Sequence, residues 1–189
     1  MYSEATRASL VAQATSLFAS RGYSGTSLED VAAASQVTRG AVYHHFDGKI
    51  ALFEAVLESQ EKEAEAHISA AATDPDPLVS ARLALDAYLD KCCDPVYARL
   101  VWQEGPLALG WHRWREFEEK YAYGFVERFI RALIDGGYLC HDRAETLVRF
   151  AFWILGGAGL AVAEAPAADR PRVREEWGSL IRRTLDGLR

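Results

Sequence analysis

The stretch Ser35–Phe53, SQVTRGAVYHHFDGKIALF, decides how the chain is read. Val42 and Phe46 stand four residues apart, the spacing that puts two side chains on one helical face, and both are expected to turn inward. That leaves Arg39, Gly40, Tyr43 and His44 on the outer face, with Thr38 and Ala41 at its leading edge. Gly40 costs a helix up to about 1 kcal/mol against Ala. An outer face built from a Gly, an Arg, a Tyr and two adjacent His needs a purpose other than helix stability.

The flanking sequence suggests one. Leu10, Val11, Ala14, Leu17 and Phe18 share one face of a preceding helix, which RGYSG interrupts. In TSLEDVAAAS, Thr26 with Glu29 three residues on has the pattern of a capping box, and Leu28, Val31 and Ala32 form the apolar side of a short second helix. Thr38 is then expected to cap a third helix reaching Phe46. Asp47-Gly48 ends it and can cap a fourth helix, which starts at Lys49 and buries Leu52, Phe53, Val56 and Leu57. Short helices with a tight turn between the second and third are the layout of a helix-turn-helix DNA reader. The same layout also occurs in plain helical bundles, where a lone Arg or Lys is a solvated surface residue.

On the DNA reading each outer residue has a physical task. The Arg39 guanidinium can fork onto guanine O6 and N7, worth roughly 1–3 kcal/mol of discrimination. Gly40 lets the backbone approach the groove, and Ala41 can lie against a thymine methyl. Tyr43 offers a hydroxyl to a phosphate. Lys49 is a point cation beside the free N–H groups of a helix start, and Thr26 and Ser27 occupy the same kind of position on the second helix. Thr38, His44 and His45 complete the candidate DNA surface. No metal site is expected from the His pair, because neighbouring helical side chains diverge by about 100°.

The segment GYSGTSLEDVAAASQVTRGAVYHHFDGKIALFEAV resembles the DNA-binding domain of the TetR family of transcriptional repressors. The family's second helix reads T-S/T-hydrophobic-x-x-hydrophobic-A, its third V-S/T-x-G-x-hydrophobic-Y-x-x-F, and its fourth x-x-K-x-x-L. Thr26, Ser27, Val31, Ala32, Val37, Thr38, Gly40, Val42, Tyr43, Phe46, Lys49 and Leu52 fall in place. His45 stands where the family often has Tyr, Arg or another residue. The resemblance implies a homodimer that reads double-stranded DNA at a palindromic operator, with a C-terminal helical domain that binds a small molecule and then releases the operator. RLVWQEGPLALGWHRWREFEEKYAYGFVERFIRAL is similar to a segment of some TetR-type regulators, GP-x-x-LGW-x-x-WR.

The chain has 189 residues, half of them hydrophobic, and a formal net charge of −6. An acidic total counts against DNA binding only if the charge is spread evenly. Within residues 1–53, Arg7, Arg21, Arg39 and Lys49 are balanced by Glu4, Glu29, Asp30 and Asp47, so the excess lies further on. Cys92, Cys93 and Cys140 show no metal-ligand spacing and read as reduced packing residues of a cytoplasmic protein. The N-terminus lacks the layout of a signal peptide. The apolar run Phe150–Ala163 falls short of the roughly 20 residues of a membrane span, and no membrane partner is expected.

The remainder also reads as helix, giving an all-α fold. TDPDP, Thr73–Pro77, is the clearest boundary. The expected division is a DNA-binding domain over 1–53, a fourth helix from 49 to about residue 72 as link, and a ligand-binding and dimerisation domain over 54–189. GPLALG is expected to break a helix between two Trp, and Gly136-Gly137 to end the long helix Trp111–Asp135. Aromatic density marks Tyr88, Trp102, Trp111, Trp114, Phe117, Tyr121 and Phe125 as candidate ligand contacts, with Gln103, Glu104, His112 and Arg115 as polar anchors, for a ligand that is partly apolar or aromatic. A core role is the plainer alternative for any one of these aromatics. Phe150, Trp153, Ile154, Gly157, Leu160, Trp177, Leu180, Ile181 and Leu185 are the candidate dimer interface: FAFWILGGAGLAVA is apolar all round and has to be covered on every side. Its glycines would admit a partner's backbone. The alternative is that both terminal helices build an intrachain core.

An enzyme would need a catalytic constellation. GxSxG, HExxH and a phosphate-binding loop are missing from the sequence, GGAG lacks the spacing of a dinucleotide fingerprint, and nothing orients the Cys140-His141 pair. No cofactor is expected. A ligand-independent DNA-binding regulator stays as the other reading, and it predicts a filled core near Trp102–Phe117.

Overall fold

In the computed structural model, which describes residues 2–188, every regular element among the described residues is helical. Helices α1 (Tyr2–Arg21), α2 (Leu28–Ala34), α3 (Arg39–His45) and α4 (Lys49–Ala71) come first. Leu10, Ala14 and Phe18 from α1, Val31 from α2, Val42 from α3, and Leu52, Phe53 and Val56 from α4 are fully buried in one core. The Phe18 ring meets Phe53 edge-on at 5.1 Å, and Tyr23 closes the cluster at 5.0 Å from Phe53.

The α2 cap lies one residue later than the sequence suggests. Ser27 Oγ accepts from Asp30 N–H at 3.1 Å, and the Asp30 carboxylate accepts from Ser27 N–H at 2.8 Å. Thr26 does not cap α2 because it serves α1 instead. Its hydroxyl lies 3.0 Å from the Gly22 carbonyl and 3.2 Å from that of Leu17, among carbonyls that a helix C-terminus leaves free. Thr38 caps α3 as expected, accepting from Ala41 N–H at 3.3 Å. The N-cap of α4 is Gly48 rather than Asp47; its φ of +108° lies in a region that side-chain-bearing residues avoid.

The chain continues with α5 (Pro77–Cys93), α6 (Pro95–Tyr97), a π-helical segment (Ala98–Glu104), α7 (Gly105–Leu109), α8 (Trp111–Asp135), a 3-10 turn (His141–Arg143), α9 (Ala144–Glu164) and α10 (Arg170–Gly187). Asp76 and Asp94 cap the helices that begin with Pro77 and Pro95. Gly136 and Gly137 end α8, with Gly137 at φ +76°.

GPLALG breaks the helix as expected, but only at its last residue, Gly110, with φ +77°; Gly105–Leu109 stays helical. A proline normally ends a helix because it lacks an N–H and crowds the preceding turn. Here the wider π turn absorbs it. Gly105 N–H bonds the Leu100 carbonyl five residues back, and the same step from Pro106 would reach Val101. Pro106 has no proton to give, and the freed Val101 carbonyl accepts the Trp114 indole N–H at 3.0 Å.

Helix α9 also departs from expectation. It runs 21 residues, and by length and composition alone it could cross a membrane, so the count over Phe150–Ala163 was too short. In this fold α9 packs against α5, α8, α10 and the π segment. Of its glycines, Gly159 serves that packing. A Cβ on Gly159 would stand 2.5 Å from both the Trp102 indole and the Tyr88 hydroxyl. Helix α10 is docked on α5 through Arg182–Asp86 at 2.7 Å and Arg174–Asp90 at 2.9 Å. Cys92, Cys93 and Cys140 are free thiols, and the side chain of His141 lies outside the described residues.

Candidate functional site

Two sites emerge from this arrangement, and α4 touches both. The first is the outer face of α3. Val42 and Phe46 are buried, while Thr38, Arg39, Gly40, Tyr43 and His44 are exposed and Ala41 and His45 half-buried. The Arg39 guanidinium pairs with Glu29 of α2 at 2.8 Å, and its other nitrogen donates to the Tyr43 hydroxyl at 3.2 Å. Both partners of the ion pair are more than half exposed. Such a pair contributes about 0–1 kcal/mol, so it holds the Arg side chain extended without locking it away from a base. A Cβ at Gly40 would meet only Thr38 Oγ1, at 3.8 Å. Nothing inside the protein therefore requires glycine there. The Lys49 ammonium lies over the Tyr23 ring at 4.3 Å. Ser27 is half-buried and occupied by Asp30. Thr26 is 1% exposed with its hydroxyl turned inward, which removes its side chain from any outer contact.

The second site is a cavity of about 200 Å³ lined from α4, α5, α6, the π segment, α8, α9 and α10. Tyr88, Trp102, Trp114, Tyr121 and Phe125 line it, as the aromatic pattern suggests. Gln103, Trp111, His112 and Phe117 do not. Gln103 donates to the Ala163 carbonyl at 2.7 Å, tying the π segment to α9. Trp111 is 57% exposed against the outer side of Trp114, and His112 lies on the surface beside Glu116 at 3.4 Å. Phe117 falls to one side of the stripe that Trp114, Tyr121 and Phe125 make along α8, and packs into the core shared with α4. Of the proposed anchors, Arg115 lines the cavity and Glu104 points away from it.

Two buried acids were missed. Glu61 and Glu118 line the cavity, 8% and 7% exposed. Burial pushes the Glu61 carboxyl up to about 7, against the opposing hydrogen bond from the Tyr97 hydroxyl at 3.0 Å and the charge of Lys91. Burial, and then the neighbouring Glu61, hold Glu118 well above the usual carboxylate range. The signal was present in the sequence. Leu57, Glu61, Ala64 and Ile68 form one stripe of α4, and Trp114, Glu118, Tyr121 and Phe125 one stripe of α8; in each a Glu sits where an apolar residue is expected.

The wall of the cavity is joined to the helix-turn-helix unit. Trp102 lines the cavity, and two residues later the Glu104 carboxylate accepts from Tyr23 N–H at 2.8 Å. Arg99 reaches the Ser20 carbonyl at 3.4 Å, and Arg113 of α8 pairs with Glu54 of α4 at 2.7 Å.

The terminal helices present a third feature. Phe150, Trp153 and Leu180 are 43%, 40% and 53% exposed, and Gly157 is open to solvent. Phe150 and Trp153 also line the cavity, and the remaining candidate interface residues are engaged within the chain. Trp177 and Ile181 pack on Leu85, Leu89 and Ala158; Leu185 packs on Leu78, Leu133 and Leu139; Leu160 packs on the main core; Ile154 lines the cavity.

Comparison with known proteins agrees with this geometry. Residues 10–56 match the bacterial regulatory proteins of the tetR family, and residues 79–188 match the tetracyclin repressor-like C-terminal domain. The transposon Tn10 TetC protein of Escherichia coli is 28% identical over 136 residues, 72% of this chain and 69% of that protein. A TetR-family transcriptional regulator from Pectobacterium atrosepticum superposes with a TM-score of 0.85 at 29% identity, over 99% of this chain and 95% of its own. The fold is shared with AibR, solved with isovaleryl coenzyme A and operator DNA, at a TM-score of 0.63 and 19% identity over 93% of this chain and 97% of its own. With both halves matched in order, the chain belongs to the TetR family of DNA-binding transcriptional regulators, a family of regulators and not of enzymes.

Proposed function

We propose that the protein is a cytoplasmic homodimeric repressor that reads a palindromic operator and leaves it when a small molecule enters the cavity. The observation that carries this reading is the continuity of α4. Its first residue, Lys49, is separated from the end of α3 only by the turn Phe46–Gly48, and Glu61, Ala64 and Ile68 of the same helix line the cavity. A ligand that shifts this wall shifts the start of the helix with it. The expected units are residues 1–53 for DNA and 54–189 for ligand and partner, with α4 shared between them.

At the DNA, Arg39 reads a base edge and Gly40 and Ala41 approach the groove floor. Thr38, Tyr43, His44, His45 and Lys49 meet the backbone, and Ser27 adds its hydroxyl if Asp30 releases it. Two copies joined through α9 and α10 put two recognition helices about 34–36 Å apart, one turn of the duplex. Phe150 and Trp153, three residues apart on α9, and Leu180 on α10 are exposed, which supports these two helices as the dimer contact. The ligand-independent reading required a filled core near Trp102 and Trp114, and the cavity lined by both speaks against it.

Fluorescence anisotropy on inverted repeats from the DNA beside the protein's own gene tests the proposal. Binding is expected to be sequence-specific and steeply salt-dependent, because neutralised phosphates release counterions. A thermal-shift screen then supplies ligands, which are expected to lower operator affinity. Equal binding of all duplexes overturns the operator reading, and ligands that bind without altering DNA affinity overturn the release mechanism.

A further inference from the structure

The cavity carries a feature that an apolar ligand does not need. Glu61 of α4 and Glu118 of α8 are more than nine-tenths buried in its wall. Tyr97 serves one oxygen of Glu61, and Glu118 Oε1 meets no hydrogen-bond partner among the described residues. Leucine at either place would complete the wall without an unpaired polar atom, so the two acids are a liability in the empty protein.

Nearby charge does not satisfy them. Lys91 acts on Glu61, but its ammonium is bound by Glu63 at 2.7 Å and lies 5.5 Å from the Tyr97 ring centre. At Glu118 the field comes from Glu61 alone, which makes its ionisation harder. The other titratable groups around the pair are Tyr88 and Cys92 on α5, Tyr97 on α6, Glu65 on α4, and Arg115 and Tyr121 on α8. Burial keeps Tyr88, Tyr97 and Cys92 protonated. The lining residues from α9 are all apolar. Arg115 is half-buried with its Nε unpartnered, and it is the one lining group that favours an anion.

We propose that Glu61 and Glu118 together recognise a compact organic monocation, a quaternary ammonium or protonated amine on an apolar ring, inside the cavity. The inference rests on the cavity being the ligand site. The aromatic walls fit the same ligand, since the faces of Trp102, Trp114 and Tyr121 attract a desolvated cation. In the empty protein burial favours the protonated form of both acids, most simply for Glu118, while Glu61, raised to about 7, shares its proton with solvent near neutrality. A permanent cation replaces one, the proton leaves to buffer, and the carboxylate gains the counter-charge it lacks.

The test uses the full chain and a matched set of probes: benzyltrimethylammonium, its uncharged isostere neopentylbenzene, benzyldimethylamine, and 3-phenylpropionate. Titrations are followed by tryptophan fluorescence and by calorimetry in buffers of different ionisation enthalpy. At pH 8 the cation is expected to bind about tenfold or more tighter than the isostere, releasing up to one proton, with affinity falling as pH drops toward 5. Glu118→Gln and Glu61→Gln keep the side-chain shape, and thermal melts verify that they fold. Each is expected to lose about tenfold in cation affinity while binding the isostere within about twofold. Benzyldimethylamine bound tighter than the quaternary probe assigns a protonated amine, and bound more weakly it assigns a quaternary ammonium; either supports the acid pair. Isostere and cation bound equally, or a cation affinity unchanged in both variants, overturns the proposal while leaving the cavity as a ligand site. Preference for the anion, lost in Arg115→Ala, overturns it as well. Failure of every probe to bind overturns both this inference and the cavity reading.

Discussion

Glu104 and Tyr23 are joined by a 2.8 Å hydrogen bond in which the Tyr23 backbone N–H donates to the carboxylate, 81 residues away in sequence. It ties the last residue of the π segment to the turn after α1. Glu104 also packs on Gly22, where φ is +77° and a Cβ would stand 2.7 Å from Glu104 Oε1. Glu104→Ala is expected to cost about 1–3 kcal/mol, the range for losing a hydrogen bond to a charged group and leaving a donor unpaired. Chemical denaturation measures the loss. In operator titrations the same variant is expected to respond less to ligand, since a cavity-to-DNA-domain contact is cut.

Gly159→Ala is expected to destabilise the protein by about 1–3 kcal/mol, because the new Cβ collides with Trp102 and Tyr88 and both must move. The displaced Trp102 belongs to the cavity wall, so ligand affinity is expected to fall as well. Gly157→Ala is the control, with its nearest neighbour, Trp177, at an ordinary 3.7 Å. Comparable losses in the two variants would refute the packing role given to Gly159.

Trp114→Phe is expected to cost about 1–3 kcal/mol, because it leaves the buried Val101 carbonyl without a donor at the point where Pro106 cannot supply one. Restoring a backbone donor with Pro106→Ala in the same chain is expected to recover part of the loss. A double-mutant cycle of denaturation free energies reads this out, and strict additivity would argue against the substitution of indole for backbone N–H.

The stability of the empty protein is expected to fall as pH rises from about 5 to about 7. Burial raises Glu61 from 4.5 to about 7, and burial beside Glu61 holds Glu118 well above the usual carboxylate range. Below the unfolded value both states hold the protons and no pH dependence arises. Above it the unfolded chain ionises while the folded chain does not, so unfolding gains until the folded carboxyls ionise too. Glu61→Gln and Glu118→Gln are each expected to flatten the slope from about pH 5 upward. Melting temperatures across pH 4–9 provide the measurement.

Arg39→Ala and Lys49→Ala are expected to act differently on DNA. The first removes a base-reading fork and costs about 1–3 kcal/mol on the preferred operator, with little effect on random duplex. The second removes one phosphate contact, weakening all duplexes alike and lowering the salt slope by about one. Glu29→Gln frees Arg39 from its 2.8 Å partner and is expected to tighten operator binding modestly. Equal losses from Arg39→Ala on all sequences would move that residue from base reading to backbone contact.

The amino-acid sequence alone determined the all-α class, the order of the helices and the inward turn of Val42 and Phe46. These follow from short-range rules, such as the spacing of apolar side chains, the caps at Thr38 and Asp76, and the glycines after α8. Tertiary structure decided what depends on distant partners. Thr26 turned inward because α1 ends with free carbonyls beside it. Pro106 stayed inside a helix because Trp114 supplied the missing donor. Trp102 entered the cavity wall, while Trp111 was left in solvent. Neither sequence spacing nor residue type separates those outcomes, since each is fixed by which helix arrives to cover the side chain. Glu61 and Glu118 lie between the two cases. Their place in apolar stripes is written in the sequence, but only the packing of α4 against α8 brings both into one cavity.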